Sequence, residues 1–421
     1  VDRPTISCQL CHNSGQIFPA ILAIFMISPF IVNDRNLFLS RFPAAQVNRS
    51  LQAWDSADEY LINHIEEQGL INANTKVAIF NDAFGALTTN FCHSGSDNAE
   101  VVCINDSYIS SQGISYNIEQ NSLDDSNITQ LNSLDALPND IDVILYKIPK
   151  SKAMLIEQLI QIKQSVNDNC IFIAADRAKE IHSATLKVFE KYLGTTKTSL
   201  AVKKARLVFC QFDCHINNKQ VNHSPFPTIW TITHKSTNDS PSRELSISNH
   251  ANVYAREKLD IGARYFIENL PQVAANSKVI DLGCGNGVIG LTVLANQPEA
   301  HVQFIDESTM AIASAEQNIK TNLPESIENC EFILNDSLTD IEGGSVDLIL
   351  CNPPFHQNTA TTDHIAWQMF KDSHRVLKKG GELRIIGNRQ LAYHIKLQRL
   401  FGNETLIASN NKFVTHSAIK K

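Results

Sequence analysis

A chain of 421 residues with a formal net charge of −8 is long enough for two domains and is not basic all over. Its composition, 43% hydrophobic and 19% charged, is ordinary for a soluble globular protein and excludes a fibrous or wholly disordered chain. The charge is uneven: eleven Lys/Arg face three acids from Lys371 to Lys421, and six face one from Lys187 to Arg206. Local patches of this kind hold phosphates while the rest of the surface stays acidic.

In chain order, the first feature is the apolar run Ile17 to Val32. It is short for a bilayer span, carries Pro19, Ser28 and Pro29, and lacks a basic leader or a small-residue cleavage site. No membrane segment is expected, and residues 1–36 are expected to be a start-site or non-native extension. Cys8, Cys11 and His12 have the spacing of a c-type haem attachment, and Cys210, Cys214 and His215 could offer metal ligands. The second set lacks a partner pair at finger spacing, so no metal is expected. The ten cysteines are spread widely, several inside apolar strands (Cys103, Cys170, Cys351). They read as reduced, buried thiols.

From Lys76 the chain runs through one plan twice. Strands at Lys76 to Phe80, Val101 to Asp106, Ile141 to Lys147 and Cys170 to Arg177 match strands at Lys278 to Leu282, His301 to Asp306, Val346 to Cys351 and Glu382 to Arg389. Helical patterns separate them, which predicts a parallel, doubly wound sheet in each half. The polar run 236–242, with Pro241, has turn chemistry and no apolar period, so it is the expected linker between domains 37–235 and 243–421.

The chemistry sits in the second copy. Val279-Ile280-Asp281-Leu282-Gly283-Cys284-Gly285-Asn286-Gly287 is a strand entering a glycine turn, and glycines let backbone approach a ligand closely. Gly285 to Gly290 also spells the dinucleotide fingerprint. The glycines alone therefore leave a nicotinamide enzyme and an S-adenosylmethionine enzyme both open. Asp281 just before the turn suits the amino acid end of S-adenosylmethionine. Asp306, ending the next strand, suits its ribose, and Asn335-Asp336 its adenine. Asn-Asp is also ordinary turn chemistry.

The strand Val346 to Cys351 stops at Asn352-Pro353-Pro354-Phe355. Alone this reads as a rigid turn. Two prolines remove two donors, which leaves the Asn352 side-chain oxygen and the Pro353 carbonyl as acceptors beside the Phe355 ring. Acceptors and a flat ring suit an exocyclic amine on a planar base, and a dehydrogenase has no use for them. Together the two motifs predict amine methylation with S-adenosylmethionine, which also places the chain in the cytoplasm and disfavours haem.

The first copy has lost both features. Its turn is Asn81-Asp82-Ala83-Phe84-Gly85, with Phe84 expected in cofactor space, and Tyr146-Lys147-Ile148-Pro149 replaces the amine clamp. Retained, it binds substrate or stabilises the second copy. Lys187, Lys191, Lys197, Lys203, Lys204 and Arg206 are its candidate phosphate contacts.

The duplicated plan with these motifs resembles the bacterial ribosomal RNA guanine-N2 methyltransferases, from about Leu37 to the end. The residues that point to the large-subunit branch are Leu51 to Tyr60, Phe355-His356-Gln357, Asn388 to Tyr393 and Asn411 to Val414. The resemblance implies an α/β fold of two tandem Rossmann-like class I methyltransferase domains, the first degenerate. It also implies methylation of guanine 1835 in 23S ribosomal RNA, with no obligatory protein partner inferred. Adenine N6, a protein glutamine amide, a small-subunit guanine and a non-catalytic RNA-binding protein remain as rivals. His356 could relay the leaving proton, or be a solvent-facing loop histidine.

Overall fold

The structure, a computed structural model, describes residues 29–43, 51–92, 99–213, 223–234, 242–354 and 360–421. Expectations for Cys8, Cys11, His12, Cys214, His215, Phe355 and His356 lie outside the described residues.

The first half opens on a short hairpin, β1 (Phe30–Val32) and β2 (Arg35–Leu37). Then come α1 (Ser56–Glu67), β3 (Lys76–Phe80), α2 (Ala86–Cys92), β4 (Glu100–Asn105), α3 (Tyr108–Gln120) and β5 (Ile128–Asn132). It closes with β6 (Val143–Lys147), α4 (Lys152–Ser165), β7 (Ile171–Arg177), α5 (Ser183–Tyr192), β8 (Gly194–Thr198) and β9 (Ala205–Phe212).

The second half repeats the order. A hairpin, β10 (Thr228–His234) and β11 (Arg243–Asn249), leads to α6 (Ile261–Ile267), β12 (Lys278–Leu282), α7 (Val288–Asn296), β13 (His301–Asp306), α8 (Thr309–Asn322) and β14 (Cys330–Leu334). The rest is β15 (Val346–Cys351), α9 (Ala360–Val376), β16 (Leu377–Asn388), α10 (Tyr393–Phe401), β17 (Thr405–Ser409) and β18 (Phe413–Ile419).

Each half is a seven-stranded sheet, ordered β5-β4-β3-β6-β7-β9-β8 and β14-β13-β12-β15-β16-β18-β17. The expectation of all-parallel sheets needs one correction. β9 and β18 run against both of their neighbours, because each follows the preceding strand through a connection too short for a crossover. In each sheet the strand order reverses beside the first core strand, which opens a crevice at the carboxyl ends of β12 and β15.

The expected boundaries also move. β10 and β11 pair residue for residue, from Thr228 with Asn249 to His234 with Arg243, so the polar run joins two strands of one hairpin. Leu245 and Ile247 are buried in the second half's core, and Trp230 and Ile232 pack on it. At the other end, Phe30, Val32 and Leu37 are buried in the first half's core, so residues 30–36 belong to that half.

The two hairpins are equivalent, and matching asparagines show it. Asn117 on α3 accepts from Ser40 N (2.8 Å) and donates to Ser40 O (2.8 Å) and Phe84 O (2.8 Å). Asn318 on α8 accepts from Ser248 N (2.7 Å) and donates to Ser248 O (2.9 Å) and Asn286 O (2.9 Å). One turn later, Asn121 clamps both backbone groups of Phe38, and Asn322 those of Ser246.

These bonds fix the register between the halves. Phe84 matches Asn286, and Ser107 and Ser308 cap the matching helices. Phe80 pairs with Ile104 as Leu282 does with Ile305, so Asn105, not Asp106, is the counterpart of Asp306. Phe80 pairs with Tyr146 as Leu282 does with Cys351, so Lys147 stands where Asn352 stands.

Candidate active site

Strand β12 delivers the glycine turn. Gly287 has φ 72°, the left-handed conformation that a side chain resists, and it starts α7. At Gly290 a Cβ would lie 2.3 Å from the Phe304 ring, so the missing side chain lets α7 sit tight against β13. Val288 to Leu294 are all buried there.

Asp281 is fully buried behind the turn. One carboxylate oxygen accepts the Gly290 N–H at 2.8 Å, and the other has no partner. Burial pushes its pKa up to about 7, with Asp306 adding to the rise and the Gly290 N–H opposing it. Asp306 holds the turn from the other side. Its two oxygens accept from Gly285 N (2.9 Å) and Ser308 N (3.0 Å), and its backbone carbonyl accepts from Asn335 N (3.0 Å). Burial raises its pKa too.

These elements surround a cavity of about 510 Å³, within the range of small-molecule sites. Gly283, Gly285, Asp306, Asn335, Asp336, Asn352, Pro353 and Pro354 all line it. Asp281 and Gly287 do not line it and act from behind the turn, as supports rather than walls. The cavity is rich in unpartnered acceptors. Asn335 Oδ1, Ser337 Oγ and Asn352 Oδ1 are buried atoms without a hydrogen bond. Asp336 is half-buried, and burial with nearby Asp372 pushes its pKa up to about 6. Leu282, Ile289, Ile305, Ile365 and Met369 supply an apolar lining. Unmet acceptors and acids with apolar walls suit a cationic ligand rich in N–H and O–H donors.

Several lining residues carry no motif in the sequence. Trp230, Asn252, Tyr254 and Ile109 also line the cavity. Trp230 contributes the unpaired indole N–H, a donor among the acceptors. It precedes the polar run, which in sequence alone puts it with the first half. Ile109 lies in the first half itself, on α3.

The degenerate site is plugged. Lys147 is half-buried and pairs with Asp58 (2.6 Å) and Asp55 (2.9 Å). Phe84 packs on the first half's core under the Arg41 guanidinium, 4.9 Å from the ring centre. Lys187, Lys191, Lys197, Lys203 and Lys204 are exposed, Lys203 against Glu59 at 2.6 Å, and Arg206 is half-buried. Six of the described cysteines are buried and Cys330 is half-buried, and all are free thiols. Among the described residues no group of three His, Cys, Asp or Glu is placed to hold a metal ion, and no helix is long and apolar enough to cross a membrane.

Two family models cover the two halves, the second beginning after β10. The RLMG N-terminal domain matches residues 28–214, and the methyltransferase small domain matches 244–417. The ribosomal RNA large subunit methyltransferase G of Colwellia psychrerythraea is 87% identical over 396 residues, 94% of this chain and 100% of that one. The chain belongs to the ribosomal RNA large subunit methyltransferase G family. The member from Aeromonas hydrophila is 49% identical over 91% of this chain and 97% of its own. Among solved structures, the T. thermophilus 16S rRNA N2 G1207 methyltransferase in complex with AdoMet and guanosine matches with a TM-score of 0.70. It covers 94% of this chain and 98% of its own at 15% identity, so the likeness shows that the tandem fold extends beyond the large-subunit methyltransferase G family.

Proposed function

We propose that this chain methylates the exocyclic N2 amine of a guanine in 23S ribosomal RNA, with S-adenosylmethionine as donor. The observation that carries the reading is Asn352. Its side-chain oxygen is buried and unpartnered at the end of β15, one strand over from the glycine turn. Large-subunit substrate choice comes from the family; the related T. thermophilus structure supplies the guanine N2 chemistry by analogy.

The lining fits the donor. Bound there, S-adenosylmethionine would supply a methyl group made electrophilic by a cationic sulfur. Asp306, with Asn335 and Asp336, would hold its nucleoside end through acceptors. The turn from Gly283 to Gly287 would take the methionine end, with the Asp281 carboxylate behind it. Trp230 N–H is a donor for an acidic group. Met369, Ile365 and Ile289 would pack against the apolar parts of S-adenosylmethionine.

Toward the base, Asn352 Oδ1 and the Pro353 carbonyl are acceptors for the two amine N–H groups. They orient the amine and favour the positive charge that develops on it. Asn352 is neutral, so it positions the amine without removing a proton first. Phe355 is the stacking residue of this reading. A stacked base must leave its helix to reach such a cleft, so a loop or flipped guanine is required. The exposed lysines of the first half would hold phosphates and set register. The reading also places the chain in the cytoplasm with its RNA.

Labelled methyl transfer to unmodified 23S and 16S ribosomal RNA tests this directly. Label in 23S RNA alone supports it; label in 16S RNA alone, or in protein, contradicts it.

A further inference from the structure

The degenerate half reaches into the cavity. Ile109, in the first turn of α3, lines it beside Ile305, Asp306 and Glu307 at the end of β13. A reciprocal lock between two equivalent helix starts brings it there. Ser107 and Ser308 pair as an antiparallel bridge. Tyr108 N donates to Glu307 O at 2.8 Å, Thr309 N donates to Asp106 O at 2.9 Å, and the Ser107 hydroxyl donates to the Glu307 carboxylate.

Asp106 is the hub. Its carboxylate, 6% exposed, accepts four hydrogen bonds. Ser133 Oγ (2.5 Å) and Met310 N (3.0 Å) reach one oxygen; Ser308 Oγ (2.5 Å) and Asn252 Nδ2 (2.7 Å) reach the other. Three of these donors belong to the second half. Ser308 in turn gives its N–H to Asp306, and Asn252 lines the cavity. A buried carboxylate at the start of α8 also meets the favourable end of that helix's dipole.

We propose that the first half completes the cofactor site: Ile109 is a cofactor-facing wall, and Asp106 is the positioning residue that fixes the Ser308–Asp306 loop. The proposal rests on the cavity being the S-adenosylmethionine site. It gives the degenerate copy a role in donor binding that is separate from RNA capture. It follows that a chain cut at residue 242 loses both Ile109 and Trp230 and binds the donor poorly.

The test uses the full chain. S-adenosylmethionine is titrated calorimetrically into the unaltered protein and into Ile109→Ala, Ile109→Lys and Asp106→Asn. Melting is recorded without ligand, and KM is measured separately for donor and RNA. Ile109→Ala should weaken donor binding roughly tenfold, the scale of one missing apolar wall. Ile109→Lys, which sets a like charge against the cationic donor, should weaken it further. In both, KM for the donor rises while kcat, KM for RNA and the ligand-free melting temperature hold. Asp106→Asn places an amide against two donors and should weaken binding as well, with a lower melting temperature. Should Asp106→Asn fail to fold, the Ile109 pair decides. Unchanged donor affinity in both Ile109 variants overturns the inference alone. No donor binding by the unaltered chain overturns the cofactor reading and the inference with it.

Discussion

Lys147 occupies in the first half the position that Asn352 occupies in the second, one residue beyond equivalent strand pairings. Where Asn352 leaves an oxygen unpaired, Lys147 is closed off by Asp58 at 2.6 Å and Asp55 at 2.9 Å. Burial works against the ammonium, but the two carboxylates outweigh it and hold its pKa up. Lys147→Met leaves two acids facing each other without a cation. It should destabilise the protein by about 3–5 kcal/mol, the cost of breaking a buried pair. The deficit should shrink as pH falls through about 6, the value to which burial raises the Asp58 carboxyl. Denaturant melts at two pH values measure this; an equal deficit at both would show that charge is not the cause.

Asn352→Ala should cost about 10²–10³-fold in turnover, the scale of removing one hydrogen bond that stabilises a transition state. Affinity for S-adenosylmethionine should hold within about threefold. Single-turnover rates and calorimetry separate the two. Near-normal turnover would remove Asn352 from the chemistry.

Asp306 is both a candidate ribose ligand and a brace for Gly285 and Ser308. Asp306→Ala therefore tests two things at once. Asp306→Asn retains one side-chain carbonyl oxygen and should weaken the donor by about tenfold or more, the worth of a charge-assisted bond. Asp306→Ala should add a lower melting temperature. Melting of Asp306→Ala at the temperature of the unaltered protein would show that the brace is idle.

Asp281 and Asp336 have pKa values raised to about 7 and about 6. A raised carboxylate stabilises the ligand-free protein at low pH, and that stability is lost as pH rises through its folded pKa. A cationic donor has the opposite preference and favours the ionised acids. Its affinity should therefore climb from about pH 5.5 to 7, with proton release on binding. Asp281→Asn should flatten both profiles. Calorimetry in buffers of different ionisation heat reads the protons. A flat affinity profile would mean the acids are ionised before the donor arrives.

Lys187, Lys197 and Lys204 are exposed. Reversing all three to Glu should weaken RNA binding and flatten its salt dependence, by roughly one unit of slope for each phosphate that is no longer neutralised. Donor affinity should not change. Filter binding across a salt series reads the slope, and an unaltered slope would move the RNA track elsewhere.

Much of the fold was legible because buried parallel strands read as apolar runs between helical patterns, and turns read as Gly, Pro and Asn. The glycine turn and Asn352-Pro353-Pro354 were visible for the same reason. Register between the halves was not. Letter matching aligns Asp106 with Asp306, whereas strand pairing aligns Asn105 with it. The hairpin β10–β11 hid behind its polar connection, and the asparagines that fix it, Asn322 and Asn318, lie far along the chain. Trp230 and Ile109 reach the cavity only through tertiary docking, which no local pattern encodes.

The methylated atom separates guanine N2 transfer from every rival chemistry. Unmodified 23S ribosomal RNA is treated with the protein and isotope-labelled S-adenosylmethionine, digested to nucleosides and resolved by mass spectrometry. One labelled product is expected, N2-methylguanosine, from a single position. Labelled N6-methyladenosine, or a methyl group on any guanine atom other than N2, would contradict it.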